Sequence, residues 1–103
     1  MSTDKDWEKW GQQDPYFAVL THEKFRSNQL TEDSVKNFFQ SGHSTVNNSV
    51  NRCKQLFGKN LTIKQSLDYG CGTGRLILPL AEISEYVTGV DISTNMLQEA
   101  QNI

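Results

Sequence analysis

Three glycines alternate in the stretch LDYGCGTGRL, residues 67–76, directly after a short segment that contains Asp68. Glycines at alternate positions remove Cβ atoms and permit positive φ angles, so backbone N–H groups can approach a bound polar ligand closely. A second acid, Asp91, follows Gly72 by roughly 20 residues, the interval at which an acid at a strand end meets a ribose in nucleotide-binding folds. A carboxylate can accept hydrogen bonds from both ribose hydroxyls. The pattern indicates a site for a ligand that contains a nucleoside.

The elements around these residues follow a strand and helix order. Residues 65–69 predict a short strand, and apolar residues at helical spacing predict a helix that begins at the glycine loop: Leu76, Ile77, Leu80 and Ile83. The N-terminal N–H groups of such a helix favour an anionic group, and Pro79 fits its first turn. Residues 86–91 predict a second strand, and Ser93 is a good N-cap for a further helix. This order is half of a nucleotide-binding βαβ unit.

The better-known phosphate-binding patterns lack their defining residues in this chain. The dinucleotide fingerprint G-x-G-x-x-G would need a glycine where Arg75 stands, and the P-loop would need a Gly-Lys pair after the cluster. An NAD- or FAD-binding Rossmann oxidoreductase is therefore kept only as an alternative. A non-catalytic interaction module built on the N-terminal helices is the other.

Two segments together resemble a known family. Residues 67–76 are similar to the acid-x-G-x-G-x-G motif of class I S-adenosylmethionine-dependent methyltransferases, and VTGVDISTNML, residues 87–97, is similar to their second motif. The stretches DPYFAVLT and FFQSG are also similar to the N-terminal extension of bacterial members. The resemblance implies a Rossmann-like α/β fold, S-adenosyl-L-methionine as the cofactor and methyl transfer to an unknown acceptor.

The resemblance also implies roles for the residues of the glycine loop. Gly70 and Gly72 would give backbone contacts to the methionine part of the cofactor, and Gly74 would allow the loop to pack closely on the following helix. Asp68 would reach the amino group of the cofactor, directly or through water.

The second motif implies the remaining cofactor contacts. Asp91 would hold the ribose hydroxyls, Ile92 would line one face of the adenine, and Met96 would border the site from the following helix. Cys71 belongs to the cofactor loop as a variable linker and not as a nucleophile, because no base accompanies it. No catalytic residue is assigned, since the family's acceptor-binding residues normally follow the second strand.

We expect two parts: residues 1–60 as a helical N-terminal extension, and residues 61–103 as the incomplete start of the cofactor-binding domain. In the first part, a short helix near residues 6–12 should be ended by Gly11 and by Pro15, with Trp7 and Trp10 on one face. Packing against apolar surface is the expected role of both indoles, and a stacking role is the less favoured alternative.

Two further helices are expected in the N-terminal part. Thr31 is a plausible N-cap for the first, and Gly42 should end it. The second should run from about residue 44 to 57, with Cys53 in its apolar stripe as a small core residue and Gly58 as its C-cap.

Composition excludes several classes of protein. The formal net charge is −2, with 10 basic and 12 acidic residues, so there is no basic footprint for nucleic acid. No membrane span, signal peptide or zinc pattern is visible, and His22 and His43 are isolated residues without metal-ligand spacing. We expect a cytoplasmic protein without a metal.

The family fold has about seven strands, of which this chain supplies two. A parallel pair of strands needs cover on both faces and is not a stable sheet alone. The resemblance therefore leads us to expect the N-terminal fragment of a longer methyltransferase, which would not transfer methyl groups by itself. The oligomeric state cannot be inferred.

Overall fold

A computed structural model of the protein describes residues 3–102. It shows an α/β fold in which helices come first and a parallel βαβ unit follows. The elements, in chain order, are α1 (Thr3–Gln13), α2 (Pro15–Val19), two short 3₁₀ turns (Glu23–Phe25 and Ser27–Gln29), α3 (Glu32–Phe57), β1 (Ile63–Tyr69), α4 (Ile77–Ile83), β2 (Ser84–Val90) and α5 (Thr94–Gln101).

An aromatic core holds the N-terminal helices together. Tyr16, Phe25 and Phe38 are buried, and Phe38 is completely inaccessible to solvent. The ring of Phe38 meets that of Tyr16 edge to face with centroids 4.9 Å apart, and that of Phe25 at 5.5 Å. Aromatic pairs in this geometry add to the stabilisation from buried area. The core thus joins α2, the first 3₁₀ turn and α3.

Helix α3 begins where the sequence predicts, but it continues beyond its predicted end. Thr31 caps it in a reciprocal capping box with Ser34, which confirms the predicted N-cap. The prediction that Gly42 ends this helix is wrong, because α3 continues to Gly58, the confirmed C-cap. A Cβ atom at Gly42 would overlap the carbonyl oxygen of Arg75. The glycine allows the loop to approach the helix and does not terminate it.

The same kind of contact explains Gly11, which lies inside α1 and not at its end. A Cβ atom there would overlap the hydroxyl oxygen of Ser93. The expected burial of Cys53 is also wrong, since its side chain is exposed. The buried positions of α3 extend only as far as Val46, and Phe57 near its end is 78% exposed. Beyond Val46, α3 therefore carries no buried residue in the described structure.

The two predicted strands are confirmed, and each begins two residues earlier than expected. They pair in parallel from Ile63–Ser84 to Tyr69–Val90. Helix α4 connects them with Pro79 in its first turn, as predicted, and packs on one face of the sheet near Gly89. On the other face, large side chains remain exposed: Leu67, Tyr69 and Tyr86. This order is the one expected for the first part of a Rossmann-like fold.

Candidate functional site

The glycine loop connects the carboxyl end of β1 to α4. All three of its glycines have positive φ, at +82° for Gly70, +54° for Gly72 and +92° for Gly74. The N–H groups of Gly70 and Cys71 both donate to the carbonyl oxygen of Val90, at 2.7 and 2.9 Å. These bonds hold the loop at the carboxyl ends of the two strands, where ligands bind in open α/β sheets.

Asp91 closes the loop with its carboxylate. Its Oδ2 atom accepts from the backbone N–H of Gly72 at 2.8 Å, and its Oδ1 atom accepts from that of Ser93 at 2.8 Å. Ser93 in turn caps α5 by accepting from the N–H of Met96 at 3.2 Å, which confirms the predicted N-cap. A carboxylate has about four acceptor positions. Asp91 therefore keeps acceptor capacity on each oxygen after fixing the loop.

A cavity of about 670 Å³ opens beside this loop. Its walls come from α1, α2, the ends of both strands and α5: Trp7, Ala18, Val19, Tyr69, Gly70, Gly72, Val90, Asp91, Ile92 and Met96. The wall thus includes several of the residues predicted to bind a cofactor. Three others of that set are not part of it: Asp68, Cys71 and Gly74.

Burial alters the acid–base properties of two residues behind the wall. It raises the pKa of the Asp68 carboxyl, and the negative charge of Asp91 raises that pKa further while Arg75 partly opposes both. Burial is also the main cause that raises the pKa of the Cys71 thiol, with added contributions from Asp68 and Asp91. A thiol with a raised pKa stays protonated, whereas a nucleophile needs the thiolate. Cys71 is placed as a packing residue beside Gly89.

Arg75 occupies the position where a dinucleotide site would carry its third glycine. Its guanidinium donates to the hydroxyl oxygens of Ser41 at 3.0 Å and Thr45 at 3.4 Å, both on α3. The side chain thereby fastens the loop to α3 and is not part of the cavity wall.

Several wall residues were not found by sequence reasoning. Trp7 was expected to cover apolar surface, yet it lines the cavity and is 42% exposed. Val19 lies against the loop, because a Cβ atom built on Gly72 would be 3.0 Å from its Cγ2 atom. The DPYFAVLT resemblance was the available signal for α2. No local pattern in the sequence pointed Trp7 toward the loop.

Metal and membrane features are absent from the residues that the structure describes. Within residues 3–102, no three His, Cys, Asp or Glu side chains are grouped so that they could hold a metal ion. Over the same range, every helix is too short or too polar to cross a bilayer.

Comparison with known proteins addresses the segment that forms this site. Residues 67–103 match the family model described as a methyltransferase domain. The chain is also 58% identical over 38 residues to a protein of Geobacillus sp. (strain WCH70) named "Putative methyltransferase". That alignment covers 37% of this chain and 15% of the relative's length.

No solved structure matches the chain. The family match contains the glycine loop and Asp91, and together with the name of the relative it supports the resemblance to class I methyltransferases. The N-terminal helices, which supply Trp7 and Val19 to the cavity, precede the residues that the family model covers.

Proposed function

We propose that the protein binds S-adenosyl-L-methionine in this cavity and serves methyl transfer from it to an acceptor that remains to be identified. One observation carries the proposal. Within a segment that matches a methyltransferase domain, the glycine loop, Asp91 and Ile92 border a single cavity at the carboxyl ends of two parallel strands.

The cavity fits a ligand of this chemistry. Its volume of about 670 Å³ lies within the range of about 300–1,000 Å³ typical of small-molecule sites. The wall combines apolar side chains with the acceptor capacity of Asp91, which suits a nucleoside that has an apolar base face and a polar sugar. Gly70 and Gly72 leave the loop side of the wall without Cβ atoms.

Each wall residue then has a binding role. Asp91 accepts from the ribose hydroxyls while it also holds the loop closed, and Ile92, which is 56% exposed, covers one face of the adenine. Gly70 and Gly72 lie along the methionine part. Met96, only 2% exposed, supports the wall from α5.

The remaining residues of the predicted site act from behind the wall. Asp68 reaches the amino group of the cofactor through water, because it does not line the cavity itself. Gly74 keeps the loop compact by donating from its N–H to the carbonyl oxygen of Cys71 at 3.0 Å. When bound, the cofactor supplies an activated methyl group. The chain's own residues bind and orient it, and orientation contributes much of the rate in such transfers.

The division at residues 60 and 61 and a cytoplasmic location are part of the same proposal. Helices α1 to α3 lie in the first part, and the βαβ unit and α5 lie in the second. Both cysteines are free thiols, as expected in a reducing compartment.

Calorimetric titration with S-adenosylhomocysteine tests the proposal, and NAD serves as the competing ligand class. We expect binding of S-adenosylhomocysteine and none of NAD. Asp91→Asn should weaken binding about tenfold or more, because hydrogen bonds to a charged group contribute about 1.5–3 kcal/mol each. Glu85→Gln is the matched control, since Glu85 is an exposed acid of β2 outside the cavity wall.

Two results would contradict the proposal. Binding of NAD in preference to S-adenosylhomocysteine would favour the oxidoreductase alternative. Absence of binding by either ligand to the folded protein would favour an interaction module.

A further inference from the structure

The wall of the cavity includes an aromatic side chain that lies outside the residues matched by the methyltransferase family. Trp7 lies on α1, and its indole lines the cavity together with Ile92. Trp10 is similarly exposed, at 41% against 42%, but is not part of the wall and packs instead on Phe17, with ring centroids 6.0 Å apart. The two tryptophans of the chain therefore have different surroundings.

Glu8, the neighbour of Trp7, fixes α1 in place. Its two carboxylate oxygens accept from the backbone N–H groups of Thr94 at 2.8 Å and Asn95 at 3.0 Å, the first two residues of α5. A negative charge at this end of a helix is favoured by the helix dipole. The carboxylate thus links α1 to the helix that follows Asp91.

Gly11, one turn further along α1, provides a second point of attachment. A Cβ atom there would overlap the hydroxyl oxygen of Ser93 and lie 3.1 Å from the Cγ atom of Met96. The backbone of α1 consequently lies directly on the N-cap of α5. Because Glu8 and Gly11 hold the helix on the same partner, the position of Trp7 relative to the cavity is set by these two contacts.

We propose that Trp7 is a ligand-binding residue that packs on the base of the nucleoside, and that Glu8 is the positioning residue that holds it there. The identity of the base as adenine rests on the proposed function. Indole and branched alkyl side chains offer flat apolar surface to a purine ring, and base–aromatic stacking is tolerant of the base's identity. The N-terminal extension therefore completes the site and is not only packing material.

Fluorescence separates the two tryptophans. In the Trp10→Phe protein Trp7 is the only tryptophan, and under excitation selective for tryptophan we expect its emission to change on titration with S-adenosylhomocysteine until the site is saturated. In the Trp7→Phe protein Trp10 is the only tryptophan, and under the same excitation its signal should stay constant while calorimetry still detects binding. These conservative variants keep an aromatic ring at each position, so folding is retained.

Affinity gives the second readout. Trp7→Ala should weaken S-adenosylhomocysteine binding about tenfold, the effect expected from the loss of one base–aromatic stack. Glu8→Ala, made in the Trp10→Phe background, should weaken binding as well and shift the emission of Trp7 to the red before ligand is added. Asp6→Ala is the matched control, because Asp6 is an exposed acid on the same helix.

The outcomes distinguish this inference from the function on which it rests. If the wild-type protein does not bind S-adenosylhomocysteine, the proposed function itself fails. If the wild type binds it, but Trp7 emission does not respond and Trp7→Ala binds with unchanged affinity, the role of Trp7 is overturned while the proposed function stands. If Glu8→Ala leaves both the emission and the affinity unchanged, the positioning role of Glu8 is overturned.

Discussion

The N-terminal helices and the βαβ unit are organised by different forces. In the helices, the rings of Tyr16 and Phe25 pack edge to face on Phe38, which has no exposed surface. In the βαβ unit, apolar side chains such as Tyr69 and Tyr86 remain 87% and 66% exposed. What orders the unit near the cavity is a set of hydrogen bonds from the loop to Val90 and Asp91.

Because of this difference, mutations in the N-terminal helices should mainly affect stability, and mutations in the loop should mainly affect ligand binding. A buried apolar side chain contributes through its packing and its removal from water, so truncating it affects the whole fold. A loop held by backbone hydrogen bonds keeps its shape through a few groups, and changing one of them alters the cavity first. Mutations in the two regions should therefore be distinguishable by comparing unfolding with ligand affinity.

The largest expected effect is on the aromatic core. Phe38→Ala should lower the free energy of unfolding by about 3–5 kcal/mol, the usual cost of removing a buried phenyl ring. Denaturant titration followed by circular dichroism measures it. Since small domains have only about 5–15 kcal/mol of stability, the milder Phe38→Leu keeps the effect measurable at about 1.5 kcal/mol or less.

Phe57→Ala is the matched control for this measurement, because Phe57 is 78% exposed on the same helix. A surface change of this kind is expected to stay within about 0.5 kcal/mol. Equal losses at the two positions would contradict the assignment of the core to the part of α3 that ends at Val46.

The glycine loop offers a comparison within the site. Both Gly70 and Gly72 have positive φ, so alanine is strained at either position, by about 1–2 kcal/mol. At Gly70 the added Cβ would meet nothing within 4 Å, whereas at Gly72 it would press on Val19 at 3.0 Å. We expect Gly72→Ala to be the more damaging for both stability and S-adenosylhomocysteine affinity.

A double-mutant cycle isolates the steric part of that effect. Val19→Ala removes the Cγ2 atom that the new Cβ would meet, so the pair Gly72→Ala and Val19→Ala should cost less than the sum of the single changes. Strict additivity would show that α2 does not press on the loop in solution.

Short sequence patterns predicted those features of the fold that depend on residues close together in the chain. Thr31 and Ser93 were predicted as caps from their residue types. In the structure, each side chain accepts from the amide three residues ahead. Asp91 was found from its spacing to the glycines. The sequence did not indicate that its carboxylate bonds to Gly72, because that contact exists only once the strands are paired.

Gly42 and Gly58 show that the local sequence alone does not predict which glycine ends a helix. Both follow an apolar helical stripe, and each was expected to end a helix, but only Gly58 does, with φ at +117° and open space around it. Gly42 lies inside the helix, and its lack of a Cβ lets the carbonyl of Arg75 lie against it. The place of Trp7 in the cavity wall likewise depends on contacts between α1 and α5, which are distant in sequence.

The smallest expected effect on stability concerns an exposed hydrogen bond between the N-terminal helices and the βαβ unit. His43 on α3 and Glu82 on α4 are 3.1 Å apart between Nε2 and Oε1, and His43 Nδ1 lies 3.3 Å from the carbonyl oxygen of Phe39. The hydrogen bond to Glu82 is the main cause that raises the pKa of His43, followed by the one to Phe39. The protonated imidazole is therefore favoured in the folded protein.

A raised folded-state pKa means that this stabilisation is complete below the ordinary pKa of about 6.5 and is lost as pH rises through the higher folded value. Wild type should thus exceed Glu82→Gln in melting temperature most clearly near pH 5.5, and the two should converge above pH 8. The difference should be small because surface ion pairs contribute little. A gap that widens at alkaline pH would show that Glu82 joins α4 to α3 through something other than the charge on His43.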